Sequence, residues 1–184
     1  AADSITPCKN DKLIAAGFLS NGVGFFASAN SNGNFAYQQS TSLDYTCTVR
    51  TEDGTGSGWV ARNAGSVKDF DANVEIRTAI SKAKGSSGAK ALEPGKYTVI
   101  LEPAASAGLI SFMMFGFDAR QADEGRSFLT KKGGGNKLGE QVFDPRVSIH
   151  SDPWDADVPV MPWDGEGLAR EKKPVIDKGK VSYL

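Results

Sequence analysis

From residue 12 to residue 51 the chain alternates apolar runs with turn signals. The turn signals are Ser20-Asn21-Gly22 and Ser31-Asn32-Gly33-Asn34, and Asn-Gly pairs tolerate the positive φ of tight hairpins. The pattern predicts a β-meander with strands at 13–19, 23–30, 35–40 and 44–50. In the last strand Tyr45, Cys47 and Val49 alternate with Thr46 and Thr48, so one face is expected to be buried. Gly54, Gly56 and Gly58 then remove Cβ atoms from alternate positions, which suits a bulged or close-packed strand edge.

The period changes over residues 66–86, where Phe70, Val74, Ala79, Ile80 and Ala83 fall broadly along one helical face. Asp69 or Asp71 is available as N-cap and Gly85 as stop, so one helix is expected to cover the sheet. After a turn at Leu92-Glu93-Pro94-Gly95, residues 96–101 (KYTVIL) are β-branched and apolar on both faces, as a central strand would be. Pro103 suits a first helical turn, and residues 104–117 (AASAGLISFMMFGF) are apolar nearly all round, which predicts a buried helix. Beyond Arg126 helix signals stop. The strand-forming pair Phe128-Leu129 leads into a flexible glycine loop at 131–137, then short apolar runs at Val142-Phe143 and 147–149. Residues 152–168, rich in proline, tryptophan and acid, read as an extended surface segment, and 175–181 as a hairpin centred on Lys178-Gly179. The expected fold class is α+β: largely antiparallel sheet from an N-terminal meander, two main helices as cover, and a C-terminal hairpin.

A length of 184 residues suits one sizeable domain. With 21 basic and 22 acidic residues and the lysines spread along the chain, there is no footprint for nucleic acid. No run reaches the ~18 apolar residues of a membrane span, and Ala1-Ala2-Asp3 lacks both the basic start and the apolar run of a signal sequence. A soluble protein is expected. The opening without methionine suggests a piece of a longer protein. Cys8 and Cys47 have no CxxC spacing and cannot build a disulfide framework, so they read as two small buried or half-buried thiols.

Candidate chemistry is sparse. His150 is the one histidine, which excludes any mechanism needing two imidazoles. The glycines at 54–58 run into Trp59 rather than Gly-Lys-Ser/Thr, so a phosphate loop fails. Asp152, Asp155 and Asp157 lack the register of a calcium loop and read as solvated. Asp123-Glu124 followed by Arg126-Ser127 raises acid/base work or a nucleophilic serine, for which His150 is remote and Lys131 or Lys132 is the remaining base. The alternative for Arg126 is a salt bridge with Asp123 or Glu124 that closes a helix end. At Gly133, Gly134 and Gly135 unobstructed backbone beside Phe128-Leu129 could accept an extended peptide as an added strand; the alternative is a mobile hairpin tip without a ligand.

Five blocks carry a resemblance: VRTEDGTGSGW at 49–59, LEPGKYTVILEP at 92–103, the long run at 119–153, PWDGEGL at 162–168 and VIDKGKVSYL at 175–184. Together they resemble the TldD/PmbA family, formerly named for modulation of DNA gyrase and regarded as metalloprotease-like. The resemblance implies an α+β fold, cytoplasmic location, and paired subunits enclosing a chamber where unfolded peptides are cut. It also implies that the chain, taken as one domain over residues 1–184, corresponds to the middle-to-C-terminal part of a longer family chain. TldD-type subunits carry HExxxH, with two zinc-binding imidazoles and a glutamate base. The matching positions here are Glu102, Pro103 and Ala107, so the resemblance is to the TldE/PmbA type, without a zinc motif. It implies no catalytic residue and no cofactor in this chain, zinc in a TldD-like partner, pairing with that partner or with a second copy, and peptide contact at Arg126, Ser127, Phe128 and Gly133–Gly135. Two rival readings stand beside it, a self-sufficient hydrolase with an unrecognised site and a protein-binding regulator of gyrase type.

Overall fold

The computed structural model describes residues 2–158 and 160–184, so Ala1 of the opening triplet and Pro159 of the acidic segment lie outside the described residues. Where the sequence reads as one domain, the chain divides into two compact units, one ending at Val99 and the other beginning at Ile100.

The first unit contains helix α1 (Ala2–Asn10), strands β1 (Leu13–Ala29), β2 (Phe35–Thr51) and β3 (Ser57–Ala64), a single 3-10 turn at Val67–Asp69, and helix α2 (Ala72–Ser86). The strands form an antiparallel sheet in the order β1-β2-β3. The expected four short strands are two long ones. At Ser20-Asn21-Gly22 the chain does not turn, because Asn21 pairs with Leu43 and Gly22 with Ser42, and an unbroken ladder of partners outweighs a local turn tendency. The turn forms at the second signal. There Asn30 Oδ1 accepts from Asn32 N at 3.1 Å and Asn34 N at 3.2 Å, and Gly33 takes φ 85°.

Strand alternation then sets the core. Leu43, Tyr45, Cys47 and Val49 share one face and pack with Leu13, Val60 and Cys8 against Ile76, Ala79, Ile80 and Ala83 of α2. Those helix positions are spaced i, i+3, i+4, i+7, the stripe of an amphipathic helix. Asp71 is the N-cap, its carboxylate accepting from Asn73 N at 2.8 Å. Val74 is exposed, and Phe70 precedes the helix, its ring 5.0 Å from that of Tyr45. Gly85 does not stop the helix; the chain leaves it at Ser87, and Gly88 takes φ 71°. The close packing expected of the glycine run is real: a Cβ on Gly58 would strike the Ala79 carbonyl oxygen, and one on Gly56 the Ala83 carbonyl oxygen. Both cysteines are free and buried, and burial, followed by the neighbouring Cys47, pushes the Cys8 thiol up. Helix α1 has no counterpart among the expected elements, since Pro7 sits inside it and no apolar stripe marks it.

The second unit contains α3 (Pro103–Met114), α4 (Ala119–Asp123) and strands β4 (Ile149–Ser151), β5 (Lys173–Asp177) and β6 (Lys180–Val181), antiparallel in the order β4-β5-β6. Its core is Phe117, Ala122, Leu129, Val175, Ile176 and Val181, with Val142, Phe143, Val147 and Ile149 packed against it. The hairpin turns on Lys178 (φ 45°) and Gly179 (φ 82°), the two positive-φ positions of a type I′ turn, as expected. Two expectations are corrected. Residues 96–101 belong to no strand, and Ile100 is 98% exposed. Helix α3 starts where Pro103 places it but has no buried residue, although Met113 and Met114 lie partly against the core. An element apolar on all sides needs neighbours on all sides, and among the described residues no strand pairs with 96–101. The 152–168 segment is irregular and mostly exposed, except that Trp163 is buried and bridges to Ala169. Among the described residues no helix is long and apolar enough to cross a membrane.

Candidate functional site

The specific block at 118–143 folds as a frame of side chains bonded back to main chain. Asp118 caps α4 by accepting from Gln121 N at 2.8 Å. Glu124 follows the helix and is held by Arg120 Nε at 2.8 Å and by the Arg126 guanidinium; Arg120 first and Arg126 second hold its carboxyl below the usual carboxylate range. The ion-pair reading of Arg126 is therefore the one the structure contains.

Ser127 Oγ donates to Gly116 O at 2.6 Å and accepts from Leu129 N at 3.0 Å. Its hydroxyl proton is committed to a carbonyl, so this geometry poises no nucleophile. Lys131 Nζ pairs with Glu140 Oε1 at 2.9 Å, and His150 is exposed on β4. Phe128-Leu129 is a turn rather than a strand edge: Thr130 N bonds Ser127 O at 3.0 Å, and Lys137 N bonds Leu129 O at 2.8 Å. Leu129 is fully buried, and the Phe128 ring stands edge-on to Phe117 and Phe143, with centroids 6.1 and 6.4 Å away. A Cβ on Gly116 would strike that ring.

Three further residues that sequence reasoning missed complete the frame. Thr130 Oγ1 donates to Ala122 O at 2.8 Å, Asn136 Nδ2 to Asp123 Oδ1 at 2.8 Å, and Lys137 Nζ to Phe128 O at 2.8 Å. The only signal for them was a local enrichment in residues that bond to backbone. At the tip, Lys131 N bonds Gly135 O at 2.8 Å, and Gly133, Gly134 and Gly135 take φ of 99°, 111° and 75°, with nothing within 4 Å of the point where a Cβ on each would stand. The block thus brings Arg126, Ser127 and Phe128 onto one turn and holds the three glycines on a hairpin tip bridged at Thr130 and Asn136.

Glu102, Pro103 and Ala107 lie at the start of α3, all exposed. Proline and alanine carry no side-chain donor, so the three positions offer one carboxylate where a zinc site needs three or four ligands. These residues do not fit a zinc ion.

The chain matches the PmbA/TldA metallopeptidase central domain over residues 2–86 and the PmbA/TldA metallopeptidase C-terminal domain over residues 94–184. An uncharacterised protein of Methanocaldococcus jannaschii is 29% identical over 178 residues, 95% of this chain and 40% of that protein. Among solved structures, a candidate modulator of DNA gyrase from Thermotoga maritima superposes with a TM-score of 0.84 at 23% identity, over 99% of this chain and 42% of that one. TldE from Thermococcus kodakarensis does so with a TM-score of 0.72 at 18% identity, over 96% and 40%. The chain spans less than half the length of these relatives. Matched from residue 2 to residue 184 with one short gap between the two domains, it belongs to the TldD/PmbA family.

Proposed function

We propose that the chain is a TldE/PmbA-like subunit that does no chemistry alone and completes the peptide chamber of a cytoplasmic zinc-dependent peptidase. The zinc, its imidazole ligands and the glutamate base come from a TldD-like partner bearing HExxxH. The observation that carries this reading is the start of α3, where Glu102, Pro103 and Ala107 stand at the motif positions with one carboxylate among them.

Peptide contact falls to the exposed parts of the 118–143 frame. The Phe128 ring, half exposed, supplies an apolar surface, and Gly133, Gly134 and Gly135 present main chain that no side chain shields. Arg126 and Ser127 act through their bonds to Glu124 and Gly116, holding that turn in place rather than touching substrate. An extended chain without fixed side-chain identity is the ligand such a surface suits, because backbone bonding and one broad apolar contact select little else.

The test is co-expression with a HExxxH-bearing chain from the same genome. A stable complex whose proteolysis is abolished by chelation and restored by zinc is expected, with neither activity nor bound metal in this chain by itself. Stoichiometric zinc together with peptidase activity in the isolated chain would overturn the reading in favour of a self-sufficient hydrolase. Recovery of gyrase in place of a TldD-like chain would overturn it in favour of a regulator.

A further inference from the structure

In strands β1 and β2 the cross-strand pairs share a face, and the core face includes Leu43, Tyr45, Cys47 and Val49. The same face continues outward through Leu19, Val23, Phe25, Tyr37 and Phe35, because the register runs unbroken to Ala29 and Phe35. Its near half is covered by α2. Its far half is bare: Phe25, Phe35 and Tyr37 are 77%, 73% and 55% exposed. Strand β3 pairs with β2 only from Leu43 to Arg50, so beyond Leu43 the hairpin is a two-stranded ribbon, with no further strand on either edge among the described residues. The Phe25 and Tyr37 rings stack flat on it, 6.4 Å apart and 25° from parallel.

We infer that this ribbon is the docking surface for a second copy of the chain, packed face to face about a two-fold axis. Area and charge both lead to that occupant. Aromatic side chains bury ~150–250 Å² each, so at these exposures the three rings alone offer roughly 300–500 Å² per copy. With Val23 and Leu19 added, two copies reach the ~1,000 Å² that a specific interface needs. From Asn21 to Leu43 the chain carries no Asp, Glu, Lys, Arg or His. A nucleic acid or an anionic lipid surface has nothing to bind there, whereas an identical ribbon meets it without like-charge repulsion. A two-fold contact is self-complementary and closes, so an apolar ribbon of this length is satisfied by one copy instead of nucleating a chain of them. The pairing is independent of what the paired subunits cut.

The test is sedimentation equilibrium of the full chain through the micromolar range, wild type against Phe25→Lys/Tyr37→Lys. Wild-type dimer is expected, with association weakened at least ~100-fold in the double variant, as for two central aromatic anchors. The substituted positions lie outside the buried core, so an unchanged melting temperature serves as the folding control. As a second measurement, Gln39→Cys, opposite Phe25 on the ribbon, is expected to cross-link copy to copy with a short bis-maleimide, while Cys8 and Cys47 are buried and stay silent. A monomer at every concentration overturns the inference, as does a dimer that the double variant leaves intact or an absent cross-link. Strong hydrogen-exchange protection of the ribbon in a monomer also overturns it, since that would place another part of a longer chain on this face.

Discussion

Helices α2 and α3 are close in length, 15 and 12 residues, and opposite in every other respect. Helix α2 has a polar side and a stripe of four buried residues, and its cover is the sheet that the preceding residues build. Helix α3 has almost no polar residue and buries none completely. The difference teaches that apolar content measures how much surface an element needs covered, while periodicity tells whether one neighbour suffices. A striped helix carries the signature of a single partner. A uniformly apolar helix requires more surroundings than the second unit supplies.

The sharpest way to break this comparison is to truncate one apolar side chain on each helix. Ile76→Ala is expected to cost ~2–5 kcal/mol in chemical denaturation, because Ile76 is fully buried, whereas Leu109→Ala should lie within ~0.5 kcal/mol of wild type. Equal losses would mean that α3 is covered after all. A smaller effect tests the bed on which α2 lies: Gly58→Ala drives a methyl into the Ala79 carbonyl and should cost ~1–3 kcal/mol, read as a lowered denaturation midpoint at unchanged slope. Smaller still is the helix start. Asp71→Ala removes the bond to Asn73 N and should cost ~1 kcal/mol, visible as a small drop in melting temperature.

Local chemistry was legible and non-local pairing was not. Asp71 and Lys178-Gly179 declare a cap and a two-residue turn within a few positions, and both stand where expected. Ser20-Asn21-Gly22 declares a turn just as plainly and is overruled, because Leu43 and Ser42, some twenty residues on, supply ladder partners. The corrective signal was present in the parity of Leu19, Val23 and Phe25, which keeps one face through Asn21 as a turn would not. For residues 96–101 the two-sided apolar pattern states a need for neighbouring strands but cannot say where they come from. At the candidate site the block was recognisable, and so was the Arg126 ion pair. The roles of Thr130, Asn136 and Lys137 were not, because each bonds a main-chain or carboxylate atom six or more residues away, placed only once the turn has folded.

The tip at Gly133, Gly134 and Gly135 has one more consequence. All three hold a backbone conformation that an L side chain resists, yet the space around each is empty. Handedness, not size, is what keeps side chains out. A D-alanine placed there by chemical ligation would fit both the torsion and the void, and would stiffen the unfolded chain, whereas L-alanine at the same atom count would strain the loop. The tip thus distinguishes mirror images of one residue, and a peptide running beside it would meet main chain of mirror-related shape.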